Sequence, residues 1–154
     1  MRETDRIVDQ MMQAHVGEPW TGPSLTGLLD GVTFENAAAK PIAGAHSIWE
    51  IVLHLMTTQT YIMDLVRGVG RPFQPGEEWP PIGKTNASAW KETVERFRQG
   101  EERVRHTVAE QFADDRLDEP LQNGGSSAYN NLHGYVQHAF YHGGQISMLR
   151  KLID

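Results

Sequence analysis

Apolar residues in this chain recur at intervals of three and four almost from end to end, and they do not alternate with period two over more than a few positions. That spacing marks one face of an α-helix, so the core has to be built from helices rather than sheet. The first stripe, Ile7, Val8, Met11, Met12 and His15, is expected to start behind Thr4 or Asp5 and to stop at Gly17 and Pro19. Short helical turns are expected over 24–29 and 33–39. A second long helix is expected from His46 or Ser47 to Arg67, with Ser47 and Glu50 in capping-box spacing and Gly68 as its stop. Trp90, Val94, Phe97, Val104, Val108 and Phe112 predict a third helix over 87–112. A fourth is predicted over 128–152, capped by Ser126 or Ser127.

Breakers divide these stripes. Residues 68–85 hold four glycines and four prolines, which leaves an 18-residue loop carrying Phe73 and Trp79. A loop of that length either covers a cleft or straps the bundle with its own aromatics. A second linker over 114–127 contains Pro120 and Gly124-Gly125. Four long helices with two linkers predict an all-α four-helix bundle, and 154 residues suit one domain, 1–154. A chain of this size buries roughly 68–70% of its unfolded surface, enough for a core without staples.

Composition narrows the chemistry. There is no cysteine, which excludes disulfides, a thiolate zinc site, an iron–sulfur cluster and a protein thiol nucleophile. A metal would have to be held by the seven histidines and the carboxylates. The net charge of −6 argues against nucleic acid or an anionic membrane as partner. No apolar run approaches the roughly 20 residues of a membrane span, and the expected location is cytoplasmic.

The last helix carries His138 and His142 at i, i+4. Two imidazoles so spaced lie about 40° apart around the axis and about 6 Å apart along it, close enough to meet one ion. Asn131, Tyr135, Gln145 and Leu149 share their face, whereas His133 points about 140° away from His138. His54 sits in the apolar run Ile51-Val52-Leu53-His54-Leu55-Met56. It is either a core imidazole satisfied by a carbonyl or hydroxyl, or the third nitrogen donor beside His138 and His142. Three histidines with open positions suit a catalytic divalent ion, not a closed structural site. Ferritin-like di-iron chemistry is disfavoured, because positions 135 and 139 are Tyr and Ala where Glu-x-x-His pairs would need Glu.

Two carboxylates are candidate catalytic groups. Glu50 stands one turn before His54 and serves either the helix cap or the orientation of His54 or a water. Glu101 falls inside the apolar stripe of the third helix beside Gly100, a residue that costs about 1 kcal/mol relative to Ala in a helix interior. A buried carboxylate needs a partner. Either a bend at Gly100 turns Glu101 toward solvent or an arginine, or Glu101 enters the site as an acid–base or supporting group. Tyr141 is expected to pack, with its phenol bordering the cleft, while His15, His46 and His106 are given no role.

The stretch Gly44-Ala45-His46-Ser47-Ile48-Trp49-Glu50-Ile51-Val52-Leu53-His54-Leu55 and the stretch His138-Ala139-Phe140-Tyr141-His142-Gly143-Gly144-Gln145-Ile146 resemble the two signature segments of the DinB-like superfamily, which includes the YfiT-type metal-dependent hydrolases. Leu28 through Thr33, on to Pro41, and Trp79-Pro80-Pro81 are similar as well. The resemblance implies an up-down-down-up four-helix bundle that forms a homodimer. It also implies His54, His138 and His142 as ligands of nickel, zinc or another divalent ion, with water in the open positions. Gly143 stands where an arginine or a small residue is common. Activities in the family include transfers that use mycothiol, bacillithiol or glutathione, and maleylpyruvate isomerisation.

A divalent ion on three histidines lowers the pKa of a bound water or takes a thiol as thiolate. Without cysteine, any thiol has to be a cosubstrate. The function expected is therefore metal-dependent hydrolysis, or small-thiol-dependent transfer, on a small-molecule substrate. The alternative is a non-catalytic metal-binding module of stress response.

Overall fold

The computed structural model describes residues 1–122 and 125–153. It is helical, as the spacing requires: α1 (Glu3–His15), α2 (Leu25–Leu29), α3 (Phe34–Ala38), α4 (Ile48–Val66), α5 (Ala87–Gln111) and α6 (Ala128–Ile153), with a single 3₁₀ turn at Asp114–Arg116. The local causes are visible at the helix ends. Ser24, Thr33, Ser47 and Asn86 each accept a backbone N–H of the helix that follows, and Ser47 and Glu50 form the expected reciprocal box. Gly68 ends α4 with φ of 77°, a left-handed conformation that favours glycine.

The start of α1 departs from expectation. The helix begins at Glu3, and its first N–H groups are taken by a residue 110 positions away: Asp114 accepts from the backbone of Glu3 (2.7 Å) and Thr4 (2.9 Å) and from the Thr4 hydroxyl (2.7 Å). A distant carboxylate has replaced the local cap.

Helices α1 and α4 each pack against both α5 and α6, while α2 lies on α6 and α3 on α4 and α5. Directions follow from particular contacts. Trp90 at the start of α5 packs on Trp49 at the start of α4, and Gln59 in mid-α4 donates to the Phe97 carbonyl in mid-α5 (3.0 Å), so these two helices run the same way. Asp114, just past the end of α5, meets the start of α1, which therefore runs opposite. Ile51 near the start of α4 shares a cavity wall with Leu149 near the end of α6, so α6 is antiparallel to α4 as well.

The core between the helices is Ile7 and Met11 from α1, Ile51, Val52, Leu55 and Ile62 from α4, Phe97, Val104 and Val108 from α5, and Leu132 and Ile146 from α6. Each such side chain contributes roughly 1.5–3 kcal/mol on burial. Gly100 lies where the Gln59 amide enters between α4 and α5, and a Cβ there would overlap that amide. Its role is to admit this side chain. Residues 67–86 form no helix, as the breaker density predicts. Gly124, named above in the second linker, lies outside the described residues. Among the described residues no helix is long and apolar enough to cross a membrane.

Candidate metal centre

The three candidate histidines converge from two helices. The Nε2 of His138 lies 2.9 Å from Nε2 of His54 and 3.0 Å from Nε2 of His142, and one nitrogen from each of the three falls within 4.8 Å of the others. The opposite nitrogens fix the tautomers. His54 donates through Nδ1 to the backbone carbonyl of Glu78 (2.7 Å), and His142 donates through Nδ1 to Oε1 of Gln145 (2.6 Å). Both rings therefore turn an Nε2 lone pair toward His138. The Nδ1 of His138 is buried without a partner. Three Nε2 atoms thus share at most one proton in the neutral state, a frustrated arrangement that a cation resolves.

This donor set fits a divalent ion. Imidazole nitrogens at about 2.0–2.1 Å from zinc sit roughly 3.3 Å apart in a tetrahedron, so the rings need open by only a few tenths of an ångström. Oxygen acceptors behind ligand imidazoles are what hold such rings in register and raise their basicity. Burial pushes His138 down to about 4, with the neighbouring His142 and His54 adding to the effect, and burial lowers His142 too, against the opposing bond from Gln145. Both are neutral near pH 7, the form that ligates metal.

The long loop supplies one wall. Trp79 is held between two imidazoles, stacked on His46 at 3.6 Å and on His54 at 4.0 Å with planes within 7°. Its neighbour Glu78 gives the carbonyl that orients His54. The loop therefore covers the cleft, one of the two readings open from sequence. A cavity of about 870 Å³ opens from the three histidines, bounded by Ile42, Ile51, Trp79, Tyr141, Met148 and Leu149 among others. Tyr141 borders it edge-on to His142, with 66% of its surface exposed, more open than packing would require.

The two carboxylates stand elsewhere. Glu50 accepts from the Ser47 N–H (2.7 Å) and Lys40 Nζ (2.9 Å), and lies 3.6 Å from Nδ1 of His46. Its carboxyl is held below the usual range; burial works against this, while Lys40, Ser47 and His46 bring it down. Glu101 is 0% exposed and does not turn to solvent; Arg105 Nε donates to both its oxygens, at 2.8 and 2.7 Å. Burial raises its carboxyl despite that partner. It belongs to a second polar group with His15, 3.8 Å away, and is not among the residues that line the histidine cavity.

Sequence reasoning gave His46 no role, yet it lines the cavity and clamps Trp79. Only its position just before the Ser47 cap hinted that it would stand at the mouth of α4. The Glu78 contact, being a backbone carbonyl, left no signal in residue type.

The two histidine-bearing stretches that set this geometry lie in or just before α4 and in α6, and the helices and loop between them complete the cleft. Comparison with curated proteins and with solved structures found no match. A family model described as the DinB superfamily does match, over residues 20–146, and that span takes in both stretches and the covering loop: the chain belongs to the DinB superfamily.

Proposed function

We propose that this protein is a metal-dependent enzyme in which His54, His138 and His142 hold one divalent ion, nickel or zinc, and a small molecule reacts in the adjoining cavity by hydrolysis or by transfer to a small-thiol cosubstrate. The observation that carries the reading is the shared focus of three Nε2 atoms with Nδ1 of two rings already committed to oxygen acceptors. A divalent ion so held supplies Lewis-acid polarisation and lowers the pKa of a water or thiol that joins it.

The chain's own groups prepare the rest. Glu78 and Gln145 aim two ligand rings. Trp79, stacked over His54, keeps water from that side and leaves the approach from the cavity. His46 on the cavity wall, with Glu50 3.6 Å behind it, is the imidazole we assign to proton transfer, Glu50 orienting it. The separate pairing of Glu101 with Arg105 supports a structural part for that carboxylate in this reading.

The test is a screen of zinc- and nickel-loaded protein against ester substrates and against electrophiles with small thiols. Turnover that requires the ion and is lost in His138→Ala is expected. Turnover unaffected by chelation or by that substitution contradicts the proposal, and stoichiometric metal without any turnover favours the non-catalytic binding module.

A further inference from the structure

The walls of the histidine cavity say what kind of molecule enters. Among the described residues that line it there is no lysine and no arginine, and Glu78 is its one carboxylate. Ile42, Ile51, Trp79, Met148 and Leu149 give it an apolar surface, and Met148 (61% exposed) and Ile42 (43% exposed) sit at its edge with no partner to cover them. The chain's guanidinium groups gather on another face: Arg67, Arg71, Arg96 and Arg103 border a separate groove of about 680 Å³ beside α4 and α5. The whole chain carries a net charge of −6.

A carboxylate entering the histidine cavity gives up hydration and meets no cation on the walls, so its transfer goes uncompensated. An apolar body gains from the same surface. From these walls we infer that the cavity takes an uncharged, largely apolar molecule that presents one neutral donor atom to the histidine cluster, and that it discriminates against carboxylate-bearing ligands. This rests on the metal reading above, since the donor atom needs an ion to meet.

The test uses two probes with the same donor atom. Cobalt(II)-loaded protein at pH 8 is titrated with 1-(4-methylbenzyl)imidazole and with 4-(imidazol-1-ylmethyl)benzoate, following the visible cobalt bands. The neutral probe should bind at least tenfold more tightly. Met148→Arg, a change at an exposed helical position that tolerates a long side chain, should close most of that gap by raising affinity for the benzoate. Equal affinities, tighter binding of the benzoate, or a gap that Met148→Arg leaves unchanged would overturn the inference while the metal site stands. Cobalt bands that are missing, or that persist unaltered in His138→Ala, would overturn the metal reading and this inference with it.

Discussion

Two groups of polar side chains are built into the same helices, and they are finished differently. In the first, Glu101, Arg105, His15 and Tyr135 join α5 to α1 and α6. The carboxylate is answered by a guanidinium at 2.7–2.8 Å, the His15 ring donates to the Met11 carbonyl at 2.9 Å, and the ring stacks on Tyr135 at 5.1 Å. Charge and hydrogen bonds are closed within the group. In the second, His54, His138 and His142 aim lone pairs at one another, leave the His138 Nδ1 orphaned, and open on a cavity. Compensation makes the first group part of the fold. The second is left incomplete, and its missing component is a cation.

Crossed substitutions give the largest effects and break the comparison most sharply. Arg105→Ala leaves the Glu101 carboxylate buried and unanswered, and should cost about 3 kcal/mol of stability, near the lower end for a broken buried pair. Urea unfolding measures it, and zinc affinity per folded molecule should stay constant. His138→Ala should do the reverse. With roughly 10–16 kcal/mol shared among four ligands in structural zinc sites, one ligand is worth about 3 kcal/mol, so zinc affinity should fall on the order of 100-fold with the urea midpoint of the metal-free protein little changed. Equal effects of both substitutions on both quantities would erase the distinction.

A smaller effect comes from protons. Burial pushes His15 down to about 4, with Arg105 adding to it. Between pH 6.5 and about 4 the unfolded chain therefore binds a proton that the folded chain does not, and this part of the stability, complete above pH 6.5, is lost as pH falls. The groups facing His15 are Glu101 and Arg105 on α5 and Tyr135 on α6. Glu101, raised by burial, acts in the opposite sense, and Tyr135, pushed well above its usual range by burial, does not titrate in this window. His15→Phe keeps the ring and removes the proton site. The stability lost between pH 7 and pH 5 should then be about 2 kcal/mol smaller than in the parent, read from urea midpoints at the two pH values. An unchanged difference would mean that His15 is not buried as a neutral ring.

The smallest effect is at Gly100. Alanine there displaces the Gln59 amide from the Phe97 carbonyl, a loss of about 1–3 kcal/mol against about 1 kcal/mol gained in helix propensity, so a net destabilisation near 1 kcal/mol is expected. In a Gln59→Ala background the sign should reverse, because only the propensity gain remains. Thermal melts of the four proteins measure both signs.

These residues also show how far the sequence could be read. Helix extents were legible because spacing, the Ser47–Glu50 box and Gly68 are local causes. The start of α1 was not, since its cap is Asp114, placed by the tertiary fold. The three metal-site histidines were legible from i, i+4 spacing, from an imidazole in an apolar run and from family resemblance. Their orientation was hidden, because it comes from a backbone carbonyl at Glu78. Gly100 and Glu101 stood out in sequence as a glycine and an acid on an apolar face. Only the approach of α4 and α1 shows that the glycine admits Gln59 and that the acid stays buried with Arg105.

The central claim is that the frustrated histidine group is completed by one metal ion. X-ray absorption of the zinc-loaded protein, with elemental analysis of the same sample, tests it most directly. The expected result is one zinc per chain with three imidazole nitrogens at about 2.0–2.1 Å, reduced to two in His138→Ala. No retained zinc, or a zinc shell without imidazole scattering, would contradict it.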